Sequence, residues 1–219
     1  MGKCWYKLNI DISNAINTNF NFREFVPNLD KNDWALFTPE LSKSDSEYFY
    51  KFLNSKWLAD MSHQGLTIIT AGFFYKPGNY DPISDKTIHV DPGRSFAINW
   101  VIDPGFVTGT MNEQFEDSGT MLWFNTNTQP YKNFYRMKSG SIDTIVPYLQ
   151  TDVNASDLKE IDRLKLNRDV YLLRVDTPHC VPTDGRSPRV VITMCIKIDD
   201  PTWDNVVNYC YNKKLIANE

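Results

Sequence analysis

The amino-acid sequence predicts a mainly β protein, a β-sandwich or jelly roll with flanking helices. From Leu66 onward, short apolar runs with strand-like alternation are separated by turns rich in Gly, Pro and Asp. Helical spacing of apolar residues is confined to a few segments. A chain of 219 residues, 42% of them hydrophobic, is long enough for one well-buried core. We therefore expect a single domain over residues 1–219.

The first 66 residues are predicted to hold one strand and one helix. Residues 5–12 have the composition of a strand. Ser44 and Glu47 form a capping box, with Ser at the N-cap and Glu three residues later. Aromatic and apolar residues follow at helical spacing up to Trp57, and Gly65 is a stop signal. The sequence therefore predicts one helix over 45–62.

The rest of the chain is predicted to be mostly strands. The predicted strands are 66–75, 86–90, 95–102, 121–125, 169–176 and 189–199. A short helix is predicted over 156–166 and a closing helix over about 202–214. The polar segments 103–119 and 125–142 are predicted as long loops, which are often functional. We expect the loop at 131–138, which contains Tyr135 and Arg136, to help bind the primary substrate.

Charge and cysteine usage limit the partners and the compartment. The net charge of −4 argues against a nucleic-acid partner, which needs a basic surface. The four cysteines form no CxxC pair, which favours free thiols in a reducing compartment. We see neither a signal-peptide pattern nor an apolar stretch of membrane-spanning length. These features predict a cytoplasmic protein without a membrane partner.

Two histidines and one aspartate have the pattern of a metal site. Residues i and i+2 of a strand face the same side, so His89 and Asp91 should project together. His179 lies between Pro178 and the downstream Pro182, which stiffen its backbone. Two imidazoles and one carboxylate can bind one face of an Fe(II) ion and leave positions open for a cosubstrate and O₂. We predict that His89, Asp91 and His179 are metal ligands and catalytic.

Three polar residues are candidates for binding that cosubstrate. Arg189 begins a strand and offers a rigid fork that matches a carboxylate such as that of 2-oxoglutarate. Thr193 is on the same strand face and can add a hydrogen bond. Asn99 lies in an otherwise apolar strand, where its amide needs a partner, either the cosubstrate or the core. Arg186 is an alternative anchor, although a Gly-Ser-Pro turn constrains it less.

The ordered set of residues resembles a known family, the non-haem Fe(II), 2-oxoglutarate-dependent oxygenases. It is most similar to the aspartyl/asparaginyl β-hydroxylase-like and prolyl-hydroxylase-like members, some of which are encoded by bacterial viruses. The similar region covers about residues 67–198. The segments that carry the resemblance are Ile88-His89-Val90-Asp91, Ser95-Phe96-Ala97-Ile98-Asn99-Trp100, Met121-Leu122-Trp123-Phe124, Pro178-His179-Cys180-Val181 and Arg189-Val190-Val191-Ile192-Thr193. One position departs from the pattern, because Val191 stands where many members have Ser.

The resemblance implies a fold, an activity and a set of cofactors. The fold would be a double-stranded β-helix, a cupin-like jelly roll. The activity would be hydroxylation of an unactivated C–H bond of a protein side chain, an amino acid or another small molecule, with release of succinate and CO₂. The cofactors would be Fe(II), 2-oxoglutarate and O₂, and a viral member would act in the host cytoplasm. Two alternatives stay open, a metal-dependent cupin enzyme that does not use 2-oxoglutarate and a non-catalytic jelly-roll module for binding or structure.

Overall fold

A computed structural model describes most of the chain. The described residues are 2–20, 35–37, 52–76, 88–91, 93–102, 119–126, 133–139, 142–148, 158–182 and 189–217. The strands are β1 (Trp5–Leu8), β2 (Ala35–Phe37), β3 (Ile68–Lys76), β4 (Phe96–Ile102), β5 (Thr120–Thr126), β6 (Asn133–Ser139), β7 (Ile142–Tyr148), β8 (Leu158–Lys165), β9 (Val170–Arg174), β10 (His179–Cys180) and β11 (Arg189–Ile196). Among the described residues, the helices with defined bounds are α1 (Ser55–His63) and α2 (Trp203–Asn212).

The strands form antiparallel sheets, which confirms the mainly β prediction. The largest sheet has six strands in the order β1-β9-β4-β11-β3-β2. A three-stranded sheet has the order β10-β5-β8, and β6 pairs with β7 in a hairpin. The double-stranded β-helix stays a prediction.

The two faces of the six-stranded sheet contact different partners. On one face, alternate residues of β4, β9 and β11 share a hydrophobic cluster with the buried sides of α1 and α2. This outer cluster includes Ile192 from β11 and Trp203 from α2. The other face packs on the three-stranded sheet through a second cluster, the inner cluster. Its buried members from strands are Ala97, Val101, Met121, Trp123, Leu164, Tyr171, Leu173 and Val191.

Helix α1 is shorter than the helix predicted over 45–62. Its N-cap is Asn54, whose Oδ1 accepts hydrogen bonds from the backbone N–H groups of Lys56 and Trp57 at 2.9 and 3.4 Å. Asn54 itself is extended (φ −68°, ψ 125°), and Leu53 forms a β-bridge with Ile16. The prediction of one continuous helix is therefore wrong at residues 53–54, because the Asn54 side chain caps a new helix there. The capping box that was predicted to begin the helix, at residues 44–47, lies outside the described residues.

Residues 158–165 are a strand, so the helix predicted over 156–166 is wrong. Strand β8 pairs with β5, and the register shifts between Trp123 and Phe124. The shift leaves Ile161 as an extra residue, as in a β-bulge. Leu158, Ile161 and Leu164 therefore have a three-residue spacing that resembles a helix although they belong to a strand.

The loop predicted over 125–142 is also wrong in part, because residues 133–139 form strand β6. Residues 127–132 of that loop and the loop at 103–118 lie outside the described residues. The closing helix is confirmed at Trp203–Asn212. Among the described residues, no helix is long and apolar enough to cross a membrane.

Candidate metal centre

The backbone brings the predicted metal ligands together. His89 and His179 exchange two backbone hydrogen bonds, each with an N···O distance of 2.9 Å. Residues paired in this way point their side chains to the same face, and their ring centroids are 4.5 Å apart. The third predicted ligand, Asp91, follows His89 by two residues. Its backbone N–H donates to the carbonyl of Val175 at 2.9 Å, which fixes its position. Three residues that are up to 90 positions apart in the sequence thus face one point.

The donor atoms of these three residues converge. Asp91 Oδ1 lies 3.4 Å from His89 Nε2 and 3.9 Å from His179 Nε2. One ligand atom from each residue lies within 4.8 Å of the others. An ion with bonds of about 2.1 Å at right angles places its donors about 3 Å apart. The two distances from the carboxylate to the imidazoles are therefore within about 1 Å of those in such a site.

The surroundings of His179 prepare its ring for metal binding. Its Nδ1 lies 2.8 Å from the carbonyl oxygen of Thr177, which can only accept, so Nδ1 carries the proton. Nε2 is then unprotonated, and it is the His179 nitrogen that lies near Asp91 Oδ1, at 3.9 Å. Burial, followed by the neighbouring His89, lowers the pKa of His179 to about 4. The ring is therefore neutral at pH 7 and needs to lose no proton to bind a metal.

Asp91 is ionised and is held by an arginine that the sequence analysis missed. Burial alone would raise the pKa of Asp91, but the Arg94 guanidinium and the two imidazoles outweigh burial and hold that pKa well below its usual range. Nε of Arg94 donates to Asp91 Oδ2 at 2.9 Å, and its Nη2 donates to the same oxygen. Gly93, at φ 72°, allows the chain to turn between the two residues. The signal in the sequence was the Asp-Pro-Gly-Arg run, which places an arginine one tight turn after the aspartate.

Arg94 also contacts the large sheet. Its Nη1 lies 3.6 Å from the Sγ of Cys195 on β11. Cys195 belongs to the alternate set of β11 residues that includes Val191 of the inner cluster. The triad is therefore connected through Arg94 to the inner face of β11.

The predicted cosubstrate residues lie on this inner face. Arg189 and Thr193 are in the same alternate set as Val191, and they are buried at 6% and 5% exposure. Asn99 on β4 is the register partner of Thr193, and its neighbours Ala97 and Val101 belong to the inner cluster. Asn99 Oδ1 and Thr193 Oγ1 are buried and find no hydrogen-bond partner among the described residues. A buried polar atom without a partner is unusual and points to a ligand or water at that position.

Comparisons with known proteins identify neither a family nor an activity for this chain. No family model matches it, and no curated protein matches its sequence. Among solved structures, the X-ray structure of E. coli ycfD aligns with 98% of this chain at 8% sequence identity and a TM-score of 0.37. The alignment covers 60% of the ycfD chain, so this chain spans less than two thirds of that neighbour. A likeness of this size carries no conclusion about family or activity.

Proposed function

We propose that the chain is an Fe(II)/2-oxoglutarate-dependent oxygenase that hydroxylates an unactivated C–H bond. The observation that carries the proposal is the convergence of His89, Asp91 and His179. Two imidazoles and one carboxylate are the donor set of non-haem Fe(II) oxygenases and leave open positions on the ion. When bound, Fe(II) would supply the activation of O₂ that couples decarboxylation of 2-oxoglutarate to substrate oxidation.

The residues of the chain would prepare the site in two ways. His179 presents an unprotonated Nε2, because Thr177 holds its Nδ1 proton. Asp91 supplies a negative charge that would balance part of the charge of the ion. Both groups are in the ligating protonation state at neutral pH, so metal binding there needs no proton release from them.

The inner face of the large sheet would hold the cosubstrate. Arg189 would pair with the far carboxylate of 2-oxoglutarate through its planar fork. Thr193 Oγ1 and Asn99 Oδ1 are buried beside each other on neighbouring strands and would meet polar atoms of the bound cosubstrate. The buried polar groups also favour an active site over a purely structural jelly roll, which would fill this interior with apolar side chains.

The substrate class is proposed from charge alone. A net charge of −4 favours a protein side chain, an amino acid or another small molecule over nucleic acid. The four cysteines are free thiols, which fits the cytoplasmic location that we propose.

A second candidate is a metal-dependent enzyme that does not use 2-oxoglutarate. One observation favours it, because Val191 is buried where many of the oxygenases have Ser. The two candidates share the metal triad and differ in the role of Arg189.

An anaerobic calorimetric titration with Mn(II), followed by 2-oxoglutarate, tests the proposal. We expect one Mn(II) per chain in the wild type and loss of stoichiometric binding in Asp91→Ala. Asp60→Ala is the matched control, because Asp60 is an exposed residue of α1, the helix that packs on the opposite face of the large sheet. With Fe(II) and O₂, the wild type should then release succinate from 2-oxoglutarate without added substrate. Equal Mn(II) affinity in wild type and Asp91→Ala would refute the triad, and metal binding without any 2-oxoglutarate turnover would favour the second candidate.

A further inference from the structure

We propose that Arg94 is a positioning residue that occupies Oδ2 of Asp91 and leaves Oδ1 as the single carboxylate oxygen that faces the metal. The inference rests on the proposed metal site and concerns how its carboxylate is held. Two nitrogens of Arg94, Nε and Nη2, donate to Oδ2. Oδ1 of Asp91 is the oxygen that faces both imidazoles, at 3.4 and 3.9 Å.

The position of Arg94 has a consequence for the coordination of an ion. A carboxylate with two free oxygens can bind a metal through both and use two positions. With Oδ2 held by two charge-assisted hydrogen bonds, Asp91 would supply one donor atom. A monodentate Asp91 keeps one more position open for ligands that are not part of the protein.

Arg94 is itself held in place. Gly93, with its positive φ, turns the chain so that the guanidinium returns toward Asp91. The third nitrogen, Nη1, meets the Sγ of Cys195 at 3.6 Å. All three guanidinium nitrogens therefore contact residues of the site, and Cys195 ties them to the inner face of β11.

Electrostatics and positioning predict opposite results when Arg94 is replaced, which makes the proposal testable. Removing a positive charge beside a cation site would raise metal affinity if charge were the whole effect. Removing a residue that orients a ligand typically lowers metal affinity 10- to 100-fold. The sign of the change therefore separates the two roles.

The experiment is an anaerobic Mn(II) titration of wild type, Arg94→Gln and Arg94→Lys. We expect both variants to bind Mn(II) about tenfold or more weakly than the wild type. Arg94→Lys keeps the charge that Asp91 needs and so remains a test if Arg94→Gln does not fold. Arg163→Gln is the matched control, because Arg163 binds Glu160 with the same three-residue spacing on the surface, at 2.5 and 2.8 Å. The control should bind Mn(II) like the wild type.

A spectroscopic measurement gives a second result that does not depend on activity. The visible absorption of the Co(II)-loaded protein changes with coordination number and should differ between wild type and Arg94→Gln. Unchanged or tighter Mn(II) binding in Arg94→Gln, with an unchanged Co(II) spectrum, would overturn the role of Arg94. If the wild type itself bound no Mn(II), the proposed metal site would fail instead, so the two failures are distinguishable.

Discussion

Thr193 and Asn99 lie directly opposite each other on β11 and β4, and each buries an oxygen that finds no hydrogen-bond partner among the described residues. Both belong to the inner face of the large sheet, where the neighbouring alternate residues are mostly apolar. Such oxygens lower the stability of the empty protein, because burial has removed their water. The presence of two such oxygens on this face is consistent with a ligand that supplies the missing hydrogen bonds.

Thr193→Val should therefore stabilise the metal-free protein. The substitution replaces the buried hydroxyl with a methyl group of similar shape, and Val is favourable in a strand. We expect the free energy of unfolding to rise by about 1 kcal/mol, measured by denaturant titration. Thr67→Val is the control, since its exposed hydroxyl contacts Ser62 Oγ at 3.1 Å, and it should give no gain. A clear loss of stability in Thr193→Val would mean that the hydroxyl has a partner.

Arg189→Ala should weaken 2-oxoglutarate binding and leave metal binding nearly intact. A charge-assisted hydrogen bond contributes about 1.5–3 kcal/mol, which corresponds to a roughly 10- to 100-fold higher 2-oxoglutarate concentration at half-maximal turnover. Arg189→Lys should need a 2-oxoglutarate concentration between those of the wild type and Arg189→Ala, because Lys keeps the charge but lacks the planar fork of Arg. Succinate release measured against 2-oxoglutarate concentration checks this order. If Arg186→Ala weakened 2-oxoglutarate binding more than Arg189→Ala, the carboxylate anchor would be Arg186 and not Arg189 of β11.

Sequence patterns predicted the parts of the fold that alternate regularly. Strand β11 has one wholly apolar alternate set and one mixed set, and the apolar set is the one packed on the helices. The triad was predictable because His89 and Asp91 are two residues apart and His179 is flanked by prolines. The i, i+2 spacing of His89 and Asp91 is a local pattern that the sequence shows directly.

The failures occur where a specific contact, rather than the apolar spacing, decides the local structure. In β8 a bulge gave Ile161 and Leu164 a helical spacing. At Asn54 a side-chain cap divided a predicted helix, although the apolar spacing continued across it. Arg94 was missed because its role depends on a turn at Gly93 and on Cys195, which lies 101 residues away in sequence. Periodicity carries no information about such pairings.

Cys195 should be the first thiol to react with a disulfide reagent in the native protein. It is partly exposed, whereas Cys4, Cys180 and Cys210 are buried. Burial raises the pKa of the Cys210 thiol to about 12, and burial together with Asp162 raises that of Cys4 to about 11, which suppresses their thiolates. A colorimetric thiol assay should show one fast phase that Cys195→Ser removes and Cys4→Ser retains. A fast phase that persists in Cys195→Ser would contradict the burial pattern.

The metal-free protein should lose stability as the pH falls from about 7.5 to about 5, and His179 should account for much of the loss. Its folded pKa of about 4 lies below the unfolded value near 6.5, so the unfolded chain takes up the proton first and is favoured. We expect a decrease of about 1–2 kcal/mol over this range. Asp91 does not contribute here, because its lowered pKa affects stability only as the pH falls below its usual value near 4. Denaturant midpoints in the presence of a chelator measure the slope, which His179→Gln should flatten. Equal slopes in the wild type and His179→Gln would show that His179 is not held neutral by burial.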